Sequence, residues 1–248
     1  MLAERRRRED DAIEVLLPCV GERGRASCGN LTYFSHLRLE MVSFVPQTAT
    51  RILDVGCGVG AFGEFLRKTR NAQVDGVEIV PTIALEAAKR LDKVFVGAFG
   101  DALSLPIGEY DCVVFNDVLE HMIDPVGALE YARTLLKLGG CVVASIPNIR
   151  HFPTVWKLVV QGRWEYAEAG TLDRTHLRFF TKQSIKDLFR EAGYRITRLT
   201  GINRYAVNSK DEYKLWRYFK VLQKLAPWLF EDMAYLQFAV VASPRVSS

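Results

Sequence analysis

The sequence predicts a doubly wound α/β fold: a mostly parallel sheet of seven strands with a C-terminal antiparallel strand and two insertions. Two observations lead to this prediction. Short apolar segments alternate with segments of helical periodicity along residues 51–146, a pattern typical of parallel strands that are joined by helices and buried on both faces. Two further apolar segments, at 195–200 and 236–242, complete the sheet after an aromatic-rich stretch.

Each element follows from a local pattern. The predicted strands are the apolar segments 51–55, 73–79, 93–99, 111–115, 141–146, 195–200 and 236–242. Apolar residues have helical spacing at 31–44 and again at 61–69. Pro81 suits the first turn of the next helix, and Gly139-Gly140 would end a helix over 126–138. Thr181 is expected to cap a helix over 181–192.

The chain is predicted to form a single domain over residues 1–248. It is divided into an N-terminal helical segment (1–45), a ligand-binding core (46–147), an insertion (148–180) and a C-terminal part (181–248) with a second insertion at 202–235. Hydrophobic residues make up 49% and charged residues 25% of the chain, as in ordinary soluble proteins. The five cysteines are scattered, so neither a disulfide framework nor a zinc site is expected.

The segment that says most about function is Asp54-Val55-Gly56-Cys57-Gly58-Val59-Gly60, directly after the first strand. Glycines let the backbone approach a ligand closely, and the helix that follows presents free amides to a carboxylate or phosphate. Gly58, Gly60 and Gly63 also satisfy the GxGxxG fingerprint, and Glu78 lies near the distance at which dinucleotide-binding proteins hold a ribose. Taken alone, the loop leaves a nicotinamide cofactor open.

The residues around the loop distinguish the alternatives. An acid, Asp54, ends the first strand before the three alternating glycines, and further acids follow the second, third and fourth strands. In this pattern the chain resembles, from about residue 31 to its end, the class I S-adenosylmethionine (SAM)-dependent methyltransferases, whose sheet is Rossmann-like. The resemblance implies that SAM is the cofactor and that its methionine part lies against the loop. The loop residues concerned are Asp54, Gly56, Cys57, Gly58 and Gly60.

The resemblance assigns the other cofactor contacts to the segments after the next three strands. They are Glu78 with Ile79 for the ribose, Asp101 with Ala102 for the adenine, and Asn116 with Asp117 for the methionine end. A carboxylate can accept hydrogen bonds from both ribose hydroxyls. All of these residues follow the carboxyl ends of strands, where open α/β sheets bind ligands.

The same resemblance excludes several methyl acceptors. Enzymes that methylate amino groups of nucleic acids carry an Asn/Asp-Pro-Pro-aromatic loop where this chain has Asn116-Asp117-Val118-Leu119. RNA cytosine-C5 enzymes need nucleophilic cysteines after later strands, and Ser145-Ile146-Pro147-Asn148 contains none. We therefore expect no nucleic-acid partner. Asp117 and Glu120 offer carboxylates to a metal ion, but the sequence shows no third ligand, so we also expect metal independence.

Three later segments suggest a narrower group. Residues 146–151, 162–166 and 172–181 resemble bacterial methyltransferases associated with glycosyltransferases and surface-polysaccharide biosynthesis. This resemblance implies O-methylation of a sugar or glycan-linked hydroxyl by in-line transfer. The segment Asp117–His121 also resembles ubiquinone-pathway enzymes, so O-methylation of a quinone or other phenolic small molecule stays open. A SAM-binding regulatory subunit without turnover is the third alternative.

A histidine base would help to deprotonate a hydroxyl acceptor. His121 follows the fourth strand and His176 lies in the insertion over the same sheet edge, so these two are the candidate catalytic residues. His151 is a weaker candidate, and His36 is expected to be structural. Asp173 would orient His176, or pair with Arg174 or Arg178 instead.

The second insertion contains an amphipathic pattern. Over residues 210–226 a helix would place Leu215, Phe219, Leu222 and Ala226 on one apolar stripe, with Tyr218 and Leu225 along its edge. Lys210, Lys214, Arg217, Lys220 and Lys224 would lie opposite. The segment is expected either to pack as a lid or to give peripheral membrane contact through residues 210–230. The protein is otherwise expected to be cytoplasmic, with a small-molecule or glycan acceptor as its partner.

Overall fold

The computed structural model describes residues 37–204 and 210–245, with the backbone alone over 210–215. The strands are β1 (Arg51–Val55), β2 (Gln73–Glu78), β3 (Lys93–Val96), β4 (Tyr110–Asn116), β5 (Leu136–Pro147), β6 (Tyr194–Arg204) and β7 (Tyr235–Pro244). The helices are α1 (Leu39–Val42), α2 (Ala61–Arg70), α3 (Pro81–Ala87), α4 (Pro125–Leu135), α5 (Phe152–Gln161), α6 (Lys182–Glu191), α7 (Lys210–Leu225) and α8 (Pro227–Phe230). Single turns of 3-10 helix lie at Asp101–Leu103, Leu119–His121 and Asp232–Ala234.

The strands form one sheet in the order β3-β2-β1-β4-β5-β7-β6. Strands β1 to β5 pair in parallel, and β7 runs antiparallel to both β5 and β6. This arrangement confirms the predicted doubly wound sheet with its antiparallel C-terminal strand. Because the order reverses at β1, the carboxyl ends of β1 and β4 flank the crevice in which such sheets bind ligands.

The strands have apolar side chains on both faces because helices cover both sides of the sheet. Alternate residues of the central strands enter two separate cores: Leu53, Val113 and Val142 pack on one face, whereas Ile52, Cys112 and Val143 pack on the other. The near-continuous apolar segments of the sequence reflect this double burial.

Local turn chemistry behaves as the sequence predicts at two helix starts. Thr181 caps α6: its hydroxyl accepts from the Ser184 amide at 3.1 Å, while the Ser184 hydroxyl accepts from the Thr181 amide at 2.8 Å. Pro81 occupies the first turn of α3, where a missing amide costs nothing.

The boundary between α4 and β5 differs from the prediction. The helix ends at Leu135, and Gly139-Gly140 lie inside β5 instead of ending the helix. Leu136 already pairs with Tyr110, and the register then shifts so that Cys141 pairs with Cys112. The residues between them form a bulge, in which Gly139 takes a φ of 82° that favours glycine.

The insertion 148–180, for which no helix was predicted, includes helix α5. In the insertion 202–235, α7 confirms the predicted helix over 210–226, and the short helix α8 follows it. These helices share a small apolar core, in which the ring of Phe152 lies 4.3 Å from that of Phe219. We call α5, α7 and α8 together the cap. No helix among the described residues is long and apolar enough to cross a membrane.

The N-terminal helix is shorter than predicted within the described residues. Of the predicted helix over 31–44, residues 31–36 and therefore His36 lie outside them, and a single turn, α1, is present. Arg38 precedes it with a φ of 48°, a left-handed conformation that costs energy for a residue with a Cβ.

Candidate active site

The glycine loop joins β1 to α2 at the carboxyl edge of the sheet. Gly56, Gly58 and Gly60 have φ values of 68°, 54° and 80°, all in the left-handed region that a side chain disfavours. A Cβ at Gly60 would also lie 3.3 Å from the backbone of Ala87. The three glycines predicted from their spacing are therefore required by the path of the loop itself.

Gly63, the last glycine of the GxGxxG pattern, has a packing role. A Cβ there would come within 2.5 Å of Leu91 and 2.9 Å of Val74. Because Gly63 has no Cβ, α2 can lie close to the sheet. This packing need explains a glycine at this position in a methyltransferase-like loop as well as in a dinucleotide-binding loop.

Glu78 lies at the end of β2 and is linked directly to the loop. One carboxylate oxygen accepts from the Gly58 amide and the other from the Val80 amide, each at 2.9 Å. Burial raises the pKa of this carboxyl, and the backbone donors oppose that rise. A carboxylate has about four acceptor positions, so each oxygen keeps one for a ribose hydroxyl. Ile79, the next residue, is half-buried.

Asp54 ends β1, and Cys57 lies within the loop. Asp54 is buried, and burial together with the nearby charge of Glu78 raises its pKa to about 7. The Cys57 thiol is also buried, and burial raises its pKa well above the ordinary value. The thiol is therefore uncharged and unreactive at neutral pH. The cofactor contacts predicted for both residues stay predictions.

Asp101 and Ala102 occupy the 3-10 turn that follows β3. Both are exposed, and Gly97, just before the turn, donates its amide to the carbonyl of Glu78 at 3.0 Å. The chain that leads to this turn therefore lies beside the end of β2. Its position fits the predicted contact with adenine, which stays a prediction.

Asn116, at the end of β4, has a side-chain amide that lacks partners. Both its oxygen and its nitrogen are buried, and neither makes a hydrogen bond within the part of the chain described. Since buried polar groups are almost always paired, this amide is suited to a ligand in the crevice.

Asp117 behaves differently, because its carboxylate already has partners. It accepts from the Ser145 hydroxyl and from the Gln237 amide, each at 2.8 Å, and forms a close ion pair with Arg38. Its backbone has a φ of 56°. The predicted cofactor contact of Asp117 stays a prediction, and any such contact would have to share this carboxylate.

Arg38 is the site residue that the sequence analysis missed. Besides its ion pair with Asp117, its guanidinium donates to Glu40 at 2.7 Å and to Gln237 at 3.2 Å. It thereby holds the N-terminal segment at the carboxyl edge of β4. Neither a motif nor a periodicity marks this arginine, because its partner lies far along the chain.

His121 and His176 meet at this edge. Their rings are 4.8 Å apart in an edge-to-face arrangement. The Nδ1 of His121 lies 3.1 Å from the carbonyl of Thr175, and the Nδ1 of His176 lies 3.2 Å from the carbonyl of Thr171. A carbonyl only accepts, so each Nδ1 donates, and in the neutral ring each Nε2 keeps its lone pair.

The histidine pair is poised to accept a proton. Burial lowers the pKa of both rings, and the neighbouring His176 adds to the effect on His121. Both rings are therefore mainly neutral at pH 7. His151, the weaker candidate, is buried at the start of α5, where burial lowers its pKa to about 4.

Glu120 lies buried beside the pair. Its carboxyl oxygens make no hydrogen bond among the described residues, and one of them is 3.9 Å from Nε2 of His176. Burial raises its pKa to about 8. Donor atoms of Glu120, His121 and His176 lie within 4.8 Å of one another, close enough to share a metal ion. The structure thus groups Glu120 with His121 and His176, whereas Asp117, the other carboxylate considered from the sequence, lies outside this group.

The predicted roles of Asp173 were wrong. Its carboxylate accepts from the amide and the hydroxyl of Thr175, at 2.8 and 2.7 Å. Arg174 pairs with Glu168, and Arg178 donates to the carbonyl of Ile123. Asp173 therefore positions Thr175, whose carbonyl in turn orients His121. Spacing along the chain could not show this indirect route.

These features were compared with known proteins. The pattern of the family described as "Methyltransferase domain" matches residues 5–199, most of the chain. The chain belongs to the SAM-dependent methyltransferases. The nicotinamide and regulatory-subunit alternatives are thereby set aside, and SAM is the cofactor.

Relatives and solved structures are consistent with this family. The methyltransferase is 28% identical over 197 residues to a ubiquinone biosynthesis O-methyltransferase of Xanthomonas axonopodis pv. citri, covering 73% of this chain and 81% of that protein. It is 31% identical over 176 residues to the protein of the same name from Thiobacillus denitrificans, covering 67% and 74%. A SAM-dependent methyltransferase structure from Archaeoglobus fulgidus, 18% identical, has the same fold, with a TM-score of 0.60 over 82% of this chain and 90% of that one.

The comparisons do not support the predicted likeness to the glycosyltransferase-associated, polysaccharide group; the named relatives are ubiquinone biosynthesis O-methyltransferases instead. One residue of the first segment that suggested the sugar group has a structural role. Asn148 donates to the carbonyls of Asp232 and Tyr235, each at 2.9 Å, and thereby fixes the base of the cap.

The site fits the cofactor on its own evidence. The Asn116 side-chain amide is buried at the end of β4 without a partner among the described residues. Glu78 keeps acceptor capacity on both oxygens. When bound, SAM supplies a methyl group on a positively charged sulfur.

Proposed function

We propose that this methyltransferase methylates a hydroxyl of a quinone-type or other phenolic small molecule. The observation that carries the proposal is the pair His121–His176, whose Nε2 atoms are free to accept a proton at the carboxyl edge of β4. The similarity to proteins named ubiquinone biosynthesis O-methyltransferase supports an acceptor of this class. The sugar hydroxyl that the sequence favoured is the alternative against which it must be tested.

The basicity of the pair favours a phenol. Burial lowers the pKa of both rings below the ordinary histidine value, so they are weak bases. A phenol resembles the tyrosine side chain, with a pKa of about 10, and a sugar hydroxyl is much less acidic. While the bond to the methyl group forms, a weak base can deprotonate a phenol far more readily than a sugar hydroxyl.

An aromatic row leads outward from the histidines. Phe179 lies 6.3 Å from the His176 ring, and Trp164 lies 5.4 Å from Phe179 with its ring nearly perpendicular. Trp164 is partly exposed. A flat aromatic acceptor can pack against such a row edge to face, so the row suits a phenol on the side of the site where the proton acceptors lie.

The residues of the chain would divide the work as follows. The glycine loop and Glu78 hold the cofactor, and Asn116 supplies an amide to the same crevice. The aromatic row orients the acceptor ring. His121 takes the hydroxyl proton on Nε2, while its Nδ1 stays bonded to the Thr175 carbonyl. Most of the rate gain then comes from alignment and from exclusion of water.

A metal ion at Glu120, His121 and His176 is the competing arrangement, because their donor atoms lie so close together. In that case the ion would polarise the acceptor oxygen in place of a histidine base. We propose metal-independent turnover, as the sequence predicts. Undiminished turnover after chelation and dialysis supports it, and restoration by added Mg²⁺ or Zn²⁺ would contradict it.

Transfer of a labelled methyl group tests the acceptor. Catechols and hydroxylated quinone precursors should be methylated, and sugar nucleotides should not. His121→Ala or His176→Ala should lower the single-turnover rate at least roughly a hundredfold while SAM affinity stays within a few-fold. His151→Asn is the matched control, since His151 lies at the same edge outside the pair. Methylation of sugar nucleotides alone would contradict the acceptor class, and near-native rates in both alanine variants would contradict the base.

We further propose that the acceptor is lipid-soluble and that the protein meets it at a membrane surface.

A further inference from the structure

The exposed apolar side chains of the cap include Tyr218 and Leu225, which the amphipathic pattern placed along the edge of its stripe. Within the described part of that stripe, Phe219 is fully buried against Phe152, and the lid stays a prediction. A second set of apolar side chains on α7 and α8 faces outward. Tyr218, Val221, Leu225 and Trp228 are 66%, 56%, 77% and 81% exposed, and Leu229 is 38% exposed. We call these five residues the outer face.

The cations of α7 border the outer face, and one exposed carboxylate, Glu231, follows α8. Arg217, Lys220 and Lys224 are exposed on the same helix. At 100° per residue, Arg217 and Lys224 lie directly beside Val221 on the helix surface. Residues 213–230 contain no aspartate or glutamate. An apolar strip edged by cations, with a tryptophan at one end, has the chemistry that binds an anionic lipid surface.

The outer face is fixed next to the catalytic edge. Arg150, three residues beyond the end of β5, forms a 2.9 Å ion pair with Asp232 and donates to the carbonyl of Leu229 at 2.7 Å. Strand β5 pairs with β4, which leads to His121. The Gln237 side chain, at the start of β7, donates to Asp117. The cap therefore cannot move far from the site without breaking these contacts.

We propose that the outer face docks the methyltransferase on an anionic membrane and so holds its active-site edge near lipid. The choice of a lipid surface as the occupant rests partly on the proposed lipid-soluble acceptor, whereas the charge and exposure of the face do not depend on it. Binding is peripheral: the apolar side chains enter the headgroup boundary, and the cations remain at the charged surface.

Sedimentation of the full chain with vesicles tests the proposal without any acceptor or turnover. The protein should sediment with phosphatidylcholine vesicles that contain phosphatidylglycerol, stay in the supernatant with phosphatidylcholine alone, and be released by salt. Arg217→Glu with Lys224→Glu should weaken binding at least about 25-fold, because each cation near anionic lipid contributes about fivefold. Leu225→Glu with Trp228→Glu should weaken it at least tenfold.

Matched variants on other surfaces provide the controls. Lys186→Glu with Arg195→Glu makes the same charge change on exposed residues of α6 and β6, and Leu138→Glu changes a fully exposed leucine at the opposite end of the sheet. These control variants should keep both the wild-type unfolding temperature and the wild-type vesicle binding. Absence of binding by the wild type, or equal loss in the controls, would overturn the proposal. Self-association that disappears in Leu225→Glu with Trp228→Glu, without vesicle binding by the wild type, would assign the face to a protein partner instead.

Discussion

Replacing Glu78 by alanine should weaken SAM binding and loosen the glycine loop at the same time. The carboxylate joins β2 to the loop through the amide of Gly58 and to the start of α3 through the amide of Val80. Removing it would therefore take away the predicted acceptors for the ribose, one bond that holds the loop and one that holds the start of α3. The sequence alone predicts the first effect, and the structure adds the second.

The magnitudes follow from these contacts. Hydrogen bonds to a charged group contribute roughly 1.5–3 kcal/mol, so loss of the ribose contact should lower the affinity about 10- to 150-fold. The two backbone bonds are worth about 3–6 kcal/mol by the same measure. Part of this is offset because the carboxylate is no longer buried, a cost visible in its raised pKa. We expect a net loss of stability on the order of 2 kcal/mol.

Calorimetry with S-adenosylhomocysteine, below the unfolding transition, measures the affinity, and thermal unfolding without ligand measures the stability. Glu86→Ala is the matched control, since Glu86 is an exposed glutamate on α3 whose partner is Lys89. It should change neither quantity. Unchanged affinity in Glu78→Ala would refute the placement of the ribose, and a full loss of affinity with unchanged stability would refute the link to the loop.

Three further outcomes are expected. If His121 acts as a base, its neutral form is required. Because its pKa is lowered, the single-turnover rate should rise with pH and reach its plateau below about pH 6.5. A rise in rate centred above pH 7.5 would contradict this role. Burial raises the pKa of Glu120 to about 8, so the folded state retains a proton that the unfolded chain releases. The contribution of Glu120 to the free energy of unfolding is therefore lost as pH rises from about 4.5 to 8. The unfolding temperature of Glu120→Gln relative to wild type should therefore increase between pH 5 and pH 8, and a constant difference would count against it. Gly60→Ala should lower the free energy of unfolding by about 1–2 kcal/mol, because alanine disfavours the left-handed backbone at this position, and it should weaken SAM binding measured by calorimetry. Wild-type affinity in this variant would show that the loop adapts to the side chain.

The fold and the cofactor side of the site could be predicted because their signals are local. Apolar segments buried on both faces of a parallel sheet are visible residue by residue, and the alternation of Gly56, Gly58 and Gly60 reflects backbone angles that each residue adopts by itself. The acids after successive strands come together automatically, because parallel strands end at one edge of the sheet. The position of Glu78 beside the loop is an example.

The boundary of β5 was decided by pairing between strands. Gly139-Gly140 resembles a helix end, but Leu136 already pairs with Tyr110, and the strand accommodates the glycines as a bulge. The hydrogen bonds offered by the neighbouring strand outweighed the local preference of the two glycines for a helix end.

What the sequence determined by itself is the sheet, its order of apolar strands and helices, and a loop able to bind SAM. The tertiary structure alone decided how the residues after β4 are held: His121 is oriented by a carbonyl 54 residues away, and Asp117 is paired with Arg38. It also decided which face of α7 is buried. The physical reason is that these contacts depend on the path of irregular segments across the sheet edge. That path is fixed by packing of the cap and by single side-chain bonds, which leave no period or spacing in the sequence.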